Sequence, residues 1–527
     1  MGDKSGEKDW LTEPVPAAGP VPSVAGMTES PTAEAAASDL ARIPFLRAEL
    51  APDALCIRDE ETVFDNAGFA AAVRRLAARL ESFGVAPGDT VAVMLPNRVE
   101  IVTTMFAAWF QGAAMTPVNP ALTDDEVRYQ LQDSTATVLV GDERAGALAD
   151  SVGIAWLDVA RLAGNADAPD AAGDPRASLS DFALVIYTSG TTGRPKGVLL
   201  DHANVTAMTR SLIEHLALTA DDVSLLILPL FHVNGLLVSV LSPLRAGGSV
   251  VVGPRFSPAT FWDVVETHRP TYFSAVPTIY AILEARADRA VDTSSLRFAM
   301  CGAAPMPAEL IGRIEERFGM ALVEAYGLSE CTVGATANPV EGPRKAGTVG
   351  VAFPGVEIGV VDAEGIPQPS GERGEVVIRG ANVMRGYLGR PEETEKVVRD
   401  GWLHTGDVGI IDEDGYLAIV DRLKDMIIRG GENIYPKEIE ECLYNHPAVL
   451  EAAVVGKPDE FYGEVPVAFV ATKPGRTVTA EELLDHCTAS LARYKVPTEI
   501  VIRTELPKNS VGKLVKGMLR EQLSSAS

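Results

Sequence analysis

One eleven-residue segment concentrates residue types that can bind phosphate. Residues 187–197 read YTSGTTGRPKG, with three glycines, four small hydroxyl side chains and one lysine. The glycines permit backbone conformations that other residues avoid, so such a loop can point its N–H groups at phosphate oxygens. The hydroxyl groups would add donors, and the lysine would add positive charge. The predicted phosphate contacts are Thr188, Ser189, Gly190, Thr191, Thr192 and Lys196.

Two common phosphate signatures do not describe this segment. In the pattern G-x-x-x-x-G-K-[ST] the second glycine position is taken here by Pro195, and no dinucleotide fingerprint is present. A flexible surface linker would explain the glycines. It would explain neither the apolar strand predicted over Ala183–Tyr187 nor the lysine, so a phosphate-binding loop is the better interpretation.

Five further segments carry the remaining chemistry. They read LPLFHVNG at 228–235, AYGLSE at 325–330, HTGD at 404–407, DRLKD at 421–425 and LPKNSVGK at 506–513. Together with the glycine-rich loop, they resemble the ordered motifs of the adenylate-forming superfamily over roughly residues 45–520. That family includes acyl-CoA synthetases, peptide-synthetase adenylation domains and luciferases. The resemblance implies that ATP activates a carboxylate as an acyl-adenylate, which then passes its acyl group to a thiol, coenzyme A in the first interpretation.

The resemblance implies a catalytic set of Thr188, Glu330, Lys424 and Lys513. Glu330 is the predicted Mg²⁺ contact, because magnesium sites commonly combine one carboxylate with phosphate oxygens and water. Lys513 is expected to bridge the carboxylate and the α-phosphate, whereas Lys516 is expected to be a solvated tail lysine. Lys424 matches the hinge about which the family's C-terminal domain swings between adenylation and thiol transfer.

Nucleotide contacts follow from the same resemblance. Asp407 would accept hydrogen bonds from the ribose hydroxyls, as acidic residues do in other nucleotide folds. Arg422 would reach ribose or phosphate, Ser329 would touch phosphate and Tyr326 would lie against adenine. The segment 302–305 resembles the backbone lining the adenine, although it lacks the family's frequent second glycine. The remaining predicted contacts are Gly302, Ala303, Ala325, Gly327 and, on the face turned toward the thiol, Gly431.

The acyl pocket is predicted beside these motifs and carries no cationic side chain. Its predicted lining residues are His232, Asn234, Gly235, Val276, Ala303 and Thr332. The absence of lysine and arginine favours a monocarboxylic, largely apolar acid, such as a fatty or short- to medium-chain acid, and leaves an aryl acid open. His232 lies between Phe and Val, so we interpret it as lining the pocket rather than acting as a catalytic base.

Alternating strand and helix patterns indicate how these residues are positioned. Apolar residues recur at helical spacing over Phe69–Phe83, short apolar strands are predicted at Val91–Leu95 and Ser249–Val252, and from Gly355 to Arg379 short strands alternate with glycine turns. The predicted fold class is α/β. A large N-terminal domain of stacked β-sheets with helices and a β-rich subdomain, 41–421, precedes a small mobile α+β C-terminal domain, 422–527, and residues 1–40 are expected to form a disordered leader.

Composition excludes several classes of function. The formal net charge of −26 disfavours nucleic acid and anionic membrane surfaces. The five cysteines are widely spaced and form no C-x-x-C pair, which indicates reduced thiols in a cytoplasmic protein rather than a disulfide framework or zinc site. The richest apolar stretch, 235–244, is too short to span a bilayer, so no transmembrane segment is predicted.

Two rival functions stay open. The acyl group could load a carrier protein acting in trans, or an amine could attack the adenylate instead of coenzyme A. A non-catalytic nucleotide-binding scaffold would belong to another class, but Glu330 and Lys513 are both present. A homodimer is also left open.

Overall fold

The computed structural model describes residues 38–161, 170–188, 194–286, 289–304, 306–473, 475–508 and 514–525. Within these residues the strands form four sheets. Two large, mostly parallel sheets carry the predicted nucleotide motifs, a five-stranded antiparallel sheet follows them, and a second five-stranded sheet forms near the C-terminus. The α/β class and the sequence of a large N-terminal part and a smaller C-terminal part are as predicted.

Nine strands form the first large sheet. Its six central strands run parallel, and short antiparallel strands cover both edges. The strand order is Val351–Ala352, Thr336–Ala337, Ala321–Tyr326, Phe298–Cys301, Tyr272–Ala275, Val223–Leu226, Ser249–Val252, Leu55–Arg58 and Val63–Asp65. Because parallel strands end at the same edge of a sheet, the residues after Tyr326, Cys301, Ala275 and Leu226 gather along one rim.

Seven strands form the second large sheet. In order they are Gly386–Tyr387, Lys196–Asp201, Phe182–Thr188, Ala114–Pro117, Thr90–Met94, Ala136–Gly141 and Ala155–Asp158. The helix Val99–Phe110 packs in the main core and is buried on nearly every face, as its largely apolar sequence favours. Its Trp109 donates from Nε1 to the Ala183 carbonyl at 2.8 Å, which fixes the helix against the strand that leads into the phosphate loop.

Two smaller sheets complete the fold. The antiparallel one contains Val356–Val361, Arg373–Gly380, Val398–Arg399, Trp402–Ile411 and Leu417–Arg422. The C-terminal one contains Ile427–Arg429, Glu432–Ile434, Val449–Asp459, Gly463–Thr472 and Glu499–Arg503. The C-terminal sheet has an apolar cluster of its own on each face, so it carries a core separate from that of the large sheets.

Helices cover the sheets and connect their strands. The α-helices are Asp39–Leu50, Asn66–Ser82, Val99–Phe110, Asp124–Asp133, Glu143–Val152, His202–His215, Val233–Leu236, Ser242–Ala246, Phe261–His268, Pro277–Arg286, Ala308–Phe318, Pro391–Val397, Pro436–Tyr444, Ala480–Ser490 and Lys516–Ser525, with a π-helical turn at Leu237–Leu241 and 3₁₀ turns at Val159–Arg161, Ser329–Cys331 and Leu423–Asp425. Among the described residues, no helix combines the length and the apolarity that a membrane crossing requires.

Local sequence signals predicted the ends of several elements well. Thr123 and Thr479 each form a capping box, as the patterns T-D-D-E and T-A-E-E favour. The first described helix begins at Asp39, two residues before the expected start of the N-terminal domain. Arg422, expected to open the C-terminal domain, is the last residue of a strand paired with Trp402–Ile411.

Candidate functional site

The rim of the nine-stranded sheet gathers several predicted contacts. Val276, Gly302 and Gly327 each follow the last residue of one of three adjacent parallel strands. Ala303 has a positive φ of 69°, so the chain turns sharply directly after its strand. At Gly327 a Cβ would collide with the Val333 carbonyl oxygen, so only glycine permits this approach of the two chain segments. Ala325 and Tyr326 end the third strand.

A β-hairpin of the seven-stranded sheet presents the phosphate loop. Thr188, the last residue of one strand, pairs with Lys196, the first residue of the next. The predicted contacts Ser189, Gly190, Thr191 and Thr192 lie outside the described residues. The described flanks therefore fix where the loop leaves and rejoins the sheet, with the Thr188 and Lys196 backbones side by side.

Tyr387 contacts both Lys196 and Glu330. The Lys196 ammonium lies 4.9 Å from the centre of the Tyr387 ring and also pairs with the Glu393 carboxylate. The Tyr387 hydroxyl donates to Glu330 Oε1 at 2.9 Å. The hydrogen bond with Lys196 lowers the pKa of Glu393, which keeps that carboxylate ionised. This contact series brings the phosphate hairpin and the predicted metal residue together, although they come from different sheets.

A buried carboxylate forms the second centre of the site. Asp407 is 3% exposed, and its Oδ2 accepts from the Tyr326 hydroxyl at 2.7 Å. Its Oδ1 lies 2.8 Å from Arg422 Nε. Burial opposes the charge on Arg422, but the neighbouring carboxylates, led by Asp407, raise its pKa overall. Ionised Asp407 has about four lone-pair positions, so it can accept further hydrogen bonds beyond these two.

Glu330 suits a magnesium ion that also binds phosphate. It lies in the short 3₁₀ turn Ser329–Cys331, which follows the strand carrying Tyr326, and Ser329 opens that turn. Tyr387 occupies one lone pair of the carboxylate, so others are left for a cation. Within the part of the chain that the structure describes, no group of three or more His, Cys, Asp or Glu side chains could hold a metal ion. A site built from one carboxylate and ligand phosphates fits this donor set.

Three of the six predicted pocket residues, His232, Asn234 and Gly235, lie on the segment after Val223–Leu226. His232 Nε2 and Asn234 Oδ1 are buried and have no hydrogen-bond partner among the described residues. Burial lowers the pKa of His232 to about 4, so its imidazole is neutral near pH 7. A Cβ on Gly235 would lie 2.8 Å from the Pro229 carbonyl oxygen, which explains glycine there. A neutral imidazole and an amide oxygen can therefore face a ligand without contributing charge.

Thr332 differs from the other predicted pocket residues. Its side chain is fully buried, and its hydroxyl donates to the Asn382 carbonyl oxygen at 2.6 Å. The structure thus uses this hydroxyl to hold a loop. Val276, by contrast, caps the rim beside Gly302 and is mostly buried.

The connector to the C-terminal sheet is rich in charge. Lys424 occupies the 3₁₀ turn Leu423–Asp425, and burial together with the Arg422 charge lowers its pKa. Asp425 Oδ1 accepts from Arg520 at 2.6 Å. Lys516 was expected to be solvated, and that expectation was wrong: only 18% of its side chain is exposed, and its ammonium lies 2.8 Å from Glu440 Oε1. Lys516 therefore anchors the last helix, whereas Lys513 lies outside the described residues.

Gly431 occupies an exposed turn of the C-terminal sheet. It has a φ of 90° and connects the strands Ile427–Arg429 and Glu432–Ile434. Its neighbour Gly430 donates from the backbone to the Tyr462 carbonyl at 2.7 Å, which ties the turn to a second loop. The glycine pair thus provides left-handed backbone at a surface turn.

Sequence reasoning missed several residues that organise the site. Tyr387 and Glu393 contact Lys196, and the buried amides Asn97 and Asn382 bond the loops that carry His232 and Glu330. None lies in a segment that suggested chemistry. A buried asparagine has no sequence pattern of its own, because its partners are backbone groups far along the chain.

Glu324 is a buried carboxylate two residues before Tyr326. Burial raises its pKa to about 8, although Lys437 and a backbone N–H of Gly347 favour the charged form. In the unfolded chain the pKa of the Glu324 carboxyl is near its usual value of 4.5. The contribution of Glu324 to stability is therefore greatest below that value and is lost as the pH rises toward the folded pKa.

We expect Glu324→Gln to remove this pH dependence, since glutamine mimics the protonated side chain without titrating. Relative to the variant, wild-type protein should lose thermal stability as the pH rises from about 5 to about 8. Differential scanning calorimetry of both proteins across that range measures the effect. A difference in Tm that stays constant, or that moves in favour of wild type at high pH, would contradict the assignment.

Comparison with known proteins identifies the family of the chain. The profile of the family described as AMP-binding enzyme matches residues 46–388, and that of the AMP-binding enzyme C-terminal domain matches 438–513. The chain is 41% identical to a feruloyl-CoA synthase of an Amycolatopsis species, over 91% of this chain and 98% of that protein. It is 35% identical to a long-chain-fatty-acid–CoA ligase of Bacillus subtilis, over 85% and 88%.

A solved structure shows the same arrangement of the fold. ATP-bound MatB from Rhodopseudomonas palustris is 33% identical and superposes with a TM-score of 0.88, over 93% of this chain and all of that one. The predicted relation to the adenylate-forming family is thereby confirmed.

Proposed function

The chain belongs to the AMP-binding enzyme family and is an acid–thiol ligase, and we propose that it activates a fatty or short- to medium-chain monocarboxylic acid for transfer to coenzyme A. The observation that carries the site assignment is the contact series from Lys196 through Tyr387 to Glu330. Through Tyr387, this series connects a cation at one end of the glycine-rich loop to a carboxylate that keeps unused lone pairs. These contacts support a triphosphate site.

The first half-reaction joins the acid to AMP. A carboxylate oxygen attacks the α-phosphorus of ATP, the bond to the β-phosphate oxygen breaks, and pyrophosphate leaves. Negative charge spreads over the non-bridging oxygens, so aligned donors and cations lower the barrier more than a protein nucleophile would. In the proposal, Thr188 and Ser189–Lys196 supply those donors, and Lys513 neutralises charge between the carboxylate and the α-phosphate.

Two carboxylates orient the nucleotide in this proposal. The free lone pairs of Asp407 accept the ribose hydroxyls, while Tyr326 and Arg422 hold that carboxylate in place. Glu330 would hold Mg²⁺ together with phosphate oxygens, and the ion would supply positive charge to the leaving pyrophosphate. Gly302, Ala303, Ala325, Gly327 and Ser329 are the other proposed nucleotide contacts.

The second half-reaction transfers the acyl group. The sulfur of coenzyme A attacks the acyl carbonyl carbon, the thiol proton is lost, and AMP leaves. We propose that the residues after Lys424 move as one body about it, which brings Gly431 toward the adenylate. A separate sheet with apolar clusters on both faces supports this division, since such a unit can move without opening the main core.

The choice of acid rests on the charge of the acyl-side residues. His232 is neutral near pH 7, and Asn234 and Gly235 carry no charge, so no cation here favours a second carboxylate. An aryl acid is the alternative that one observation favours, since a relative sharing 41% identity is named a feruloyl-CoA synthase. Transfer to a carrier protein or to an amine is the alternative for the second step.

The function is tested by ATP–pyrophosphate exchange over a panel of aliphatic, aromatic and dicarboxylic acids, followed by mass spectrometry of products formed with and without coenzyme A. We expect exchange with aliphatic monocarboxylic acids and a CoA thioester as product. Preference for aromatic acids would support the aryl alternative. Exchange confined to dicarboxylic acids, or none with any acid, would refute the proposal.

Replacing the predicted bridging lysine should separate the two half-reactions. We expect Lys513→Ala to lower adenylate formation by at least about a hundredfold, because it removes a charge needed only in that transition state. Thioester formation from supplied acyl-adenylate should stay within about threefold of wild type. Lys457→Ala, which removes only a surface ion pair with Glu499, serves as the control and should keep both reactions. Equal loss of both reactions in Lys513→Ala would refute the role.

A proline at the hinge should affect the other half-reaction. Lys424→Pro fixes φ of the residue that is proposed to absorb the rotation. Exchange with ATP should persist while thioester synthesis falls, and Lys424→Ala should retain both because its backbone remains free. Each step can be followed separately by exchange and by acyl-CoA formation. A proline variant with full thioester synthesis would argue against the hinge.

A further inference from the structure

We propose that Asn97 and Asn382 are positioning residues that act on opposite sides of the site. Asn97 holds the segment that carries His232 and Asn234, and Asn382 holds the turn that carries Glu330. The inference rests on the proposed function, because it divides the binding of acid and of nucleotide between two buried amides. It predicts that each amide controls the affinity for one substrate only.

Asn97 joins the carboxyl-end rims of the two large sheets. It follows the strand Thr90–Met94 and is 8% exposed. Its Nδ2 donates to the carbonyls of Leu228 at 3.0 Å and Gly253 at 3.2 Å. Its Oδ1 accepts from the backbone N–H of Leu230 at 2.8 Å. Both amide hydrogens and the oxygen are therefore engaged by backbone of the neighbouring sheet.

These three bonds define the start of the acyl-side segment. Leu228 and Leu230 directly precede His232, and Gly253 follows the next strand of the sheet, Ser249–Val252. Loss of the amide would leave buried carbonyl and N–H groups without partners, so the segment would shift to reach other partners or water. The unpartnered atoms of His232 and Asn234 would move with it.

Asn382 holds the metal-side turn in a comparable way. It is 1% exposed, and its Nδ2 donates to the carbonyls of Cys331 at 3.1 Å and Gly334 at 2.9 Å. The backbone carbonyl of Asn382 accepts from the Thr332 hydroxyl at 2.6 Å. Two residues later, the backbone N–H of Met384 donates to the Glu330 carbonyl at 2.8 Å. The segment around Asn382 thus binds the Glu330 turn at several points.

The turn that Asn382 holds needs such a restraint. Thr332 and Val333 have φ values of 53° and 83°, a region that β-branched residues rarely adopt. Backbone of this kind persists only where surrounding contacts enforce it. The bonds from Asn382 lie on both sides of the strained pair, so they fix the conformation in which Glu330 accepts from the Tyr387 hydroxyl.

The Asn382 segment is in turn connected to the phosphate hairpin. Asn204 donates from Nδ2 to the carbonyls of Ala381 at 2.8 Å and Val383 at 2.9 Å. Asn204 lies in the first turn of the helix that follows the strand Lys196–Asp201. The phosphate hairpin and the Glu330 turn therefore share one support, whereas the side-chain hydrogen bonds of Asn97 reach a different set of backbone groups.

The test compares Asn97→Ala and Asn382→Ala with wild type by ATP–pyrophosphate exchange at varied acid and at varied MgATP. We expect Asn97→Ala to raise the KM for the acid by about tenfold or more and to leave the KM for MgATP within about twofold. Asn382→Ala should raise the KM for MgATP by about tenfold or more and leave the KM for the acid within about twofold. Each variant controls for the other, because both remove a buried amide with backbone partners.

Asn66→Ala provides a control away from the site. Asn66 is fully buried, accepts from Arg47 and donates to the Ala51 carbonyl, so its loss should lower Tm and leave both KM values unchanged. If an alanine variant does not fold, the serine variants Asn97→Ser and Asn382→Ser are judged by the same criterion.

The outcomes separate this inference from the proposed function. The inference is overturned if wild type shows exchange but the two variants do not differ, or if each variant shifts both KM values together. Either result leaves the proposed function intact. Absence of exchange in wild type with every acid overturns the proposed function and this inference with it.

Discussion

The buried carboxylate of Asp407 is the interaction on which the site depends most. Its two oxygens accept from the Tyr326 hydroxyl and the Arg422 guanidinium, so the end of one strand of the nine-stranded sheet and two neighbouring strands of the antiparallel sheet meet at one carboxylate. Loss of Arg422 would leave this buried carboxylate without its cationic partner, although the Arg422 side chain itself is 41% exposed. The rim of the nine-stranded sheet, the antiparallel sheet and the start of the C-terminal connector are therefore held in register by electrostatics rather than by apolar packing alone.

Ion pairs and hydrogen bonds of this kind explain how a strongly acidic protein can bind a polyanion. The net charge of −26 repels ATP at long range, so affinity must come from local donors. Around the site, acidic side chains are paired: Glu393 with Lys196, Asp407 with Arg422, and Asp425 with Arg520. Burial and pairing limit the unfavourable field, while Glu330 keeps lone pairs for a cation.

Much of the fold was predictable, because its signals are local. Alternating apolar strands and helices, and the capping boxes at Thr123 and Thr479, identified the elements to within a few residues. The motifs likewise contained Tyr326 and Asp407, which the structure joins by a hydrogen bond, and Lys196 and Glu330, which both contact Tyr387. Lys516 was misjudged because its ion pair depends on Glu440, a partner distant in sequence. The sequence did not point to Asn97, Asn382 and Tyr387 for the same reason. Their hydrogen bonds join residues far apart in the chain, and such bonds produce no periodic pattern in the sequence.

A crystal structure with ATP and Mg²⁺ bound would show directly where the nucleotide lies. We expect the ribose hydroxyls on Asp407, the triphosphate between the segment that joins Thr188 to Lys196 and the carboxylate of Glu330, and the metal on that carboxylate. A triphosphate bound away from that segment, or a ribose that does not contact Asp407, would contradict this expectation.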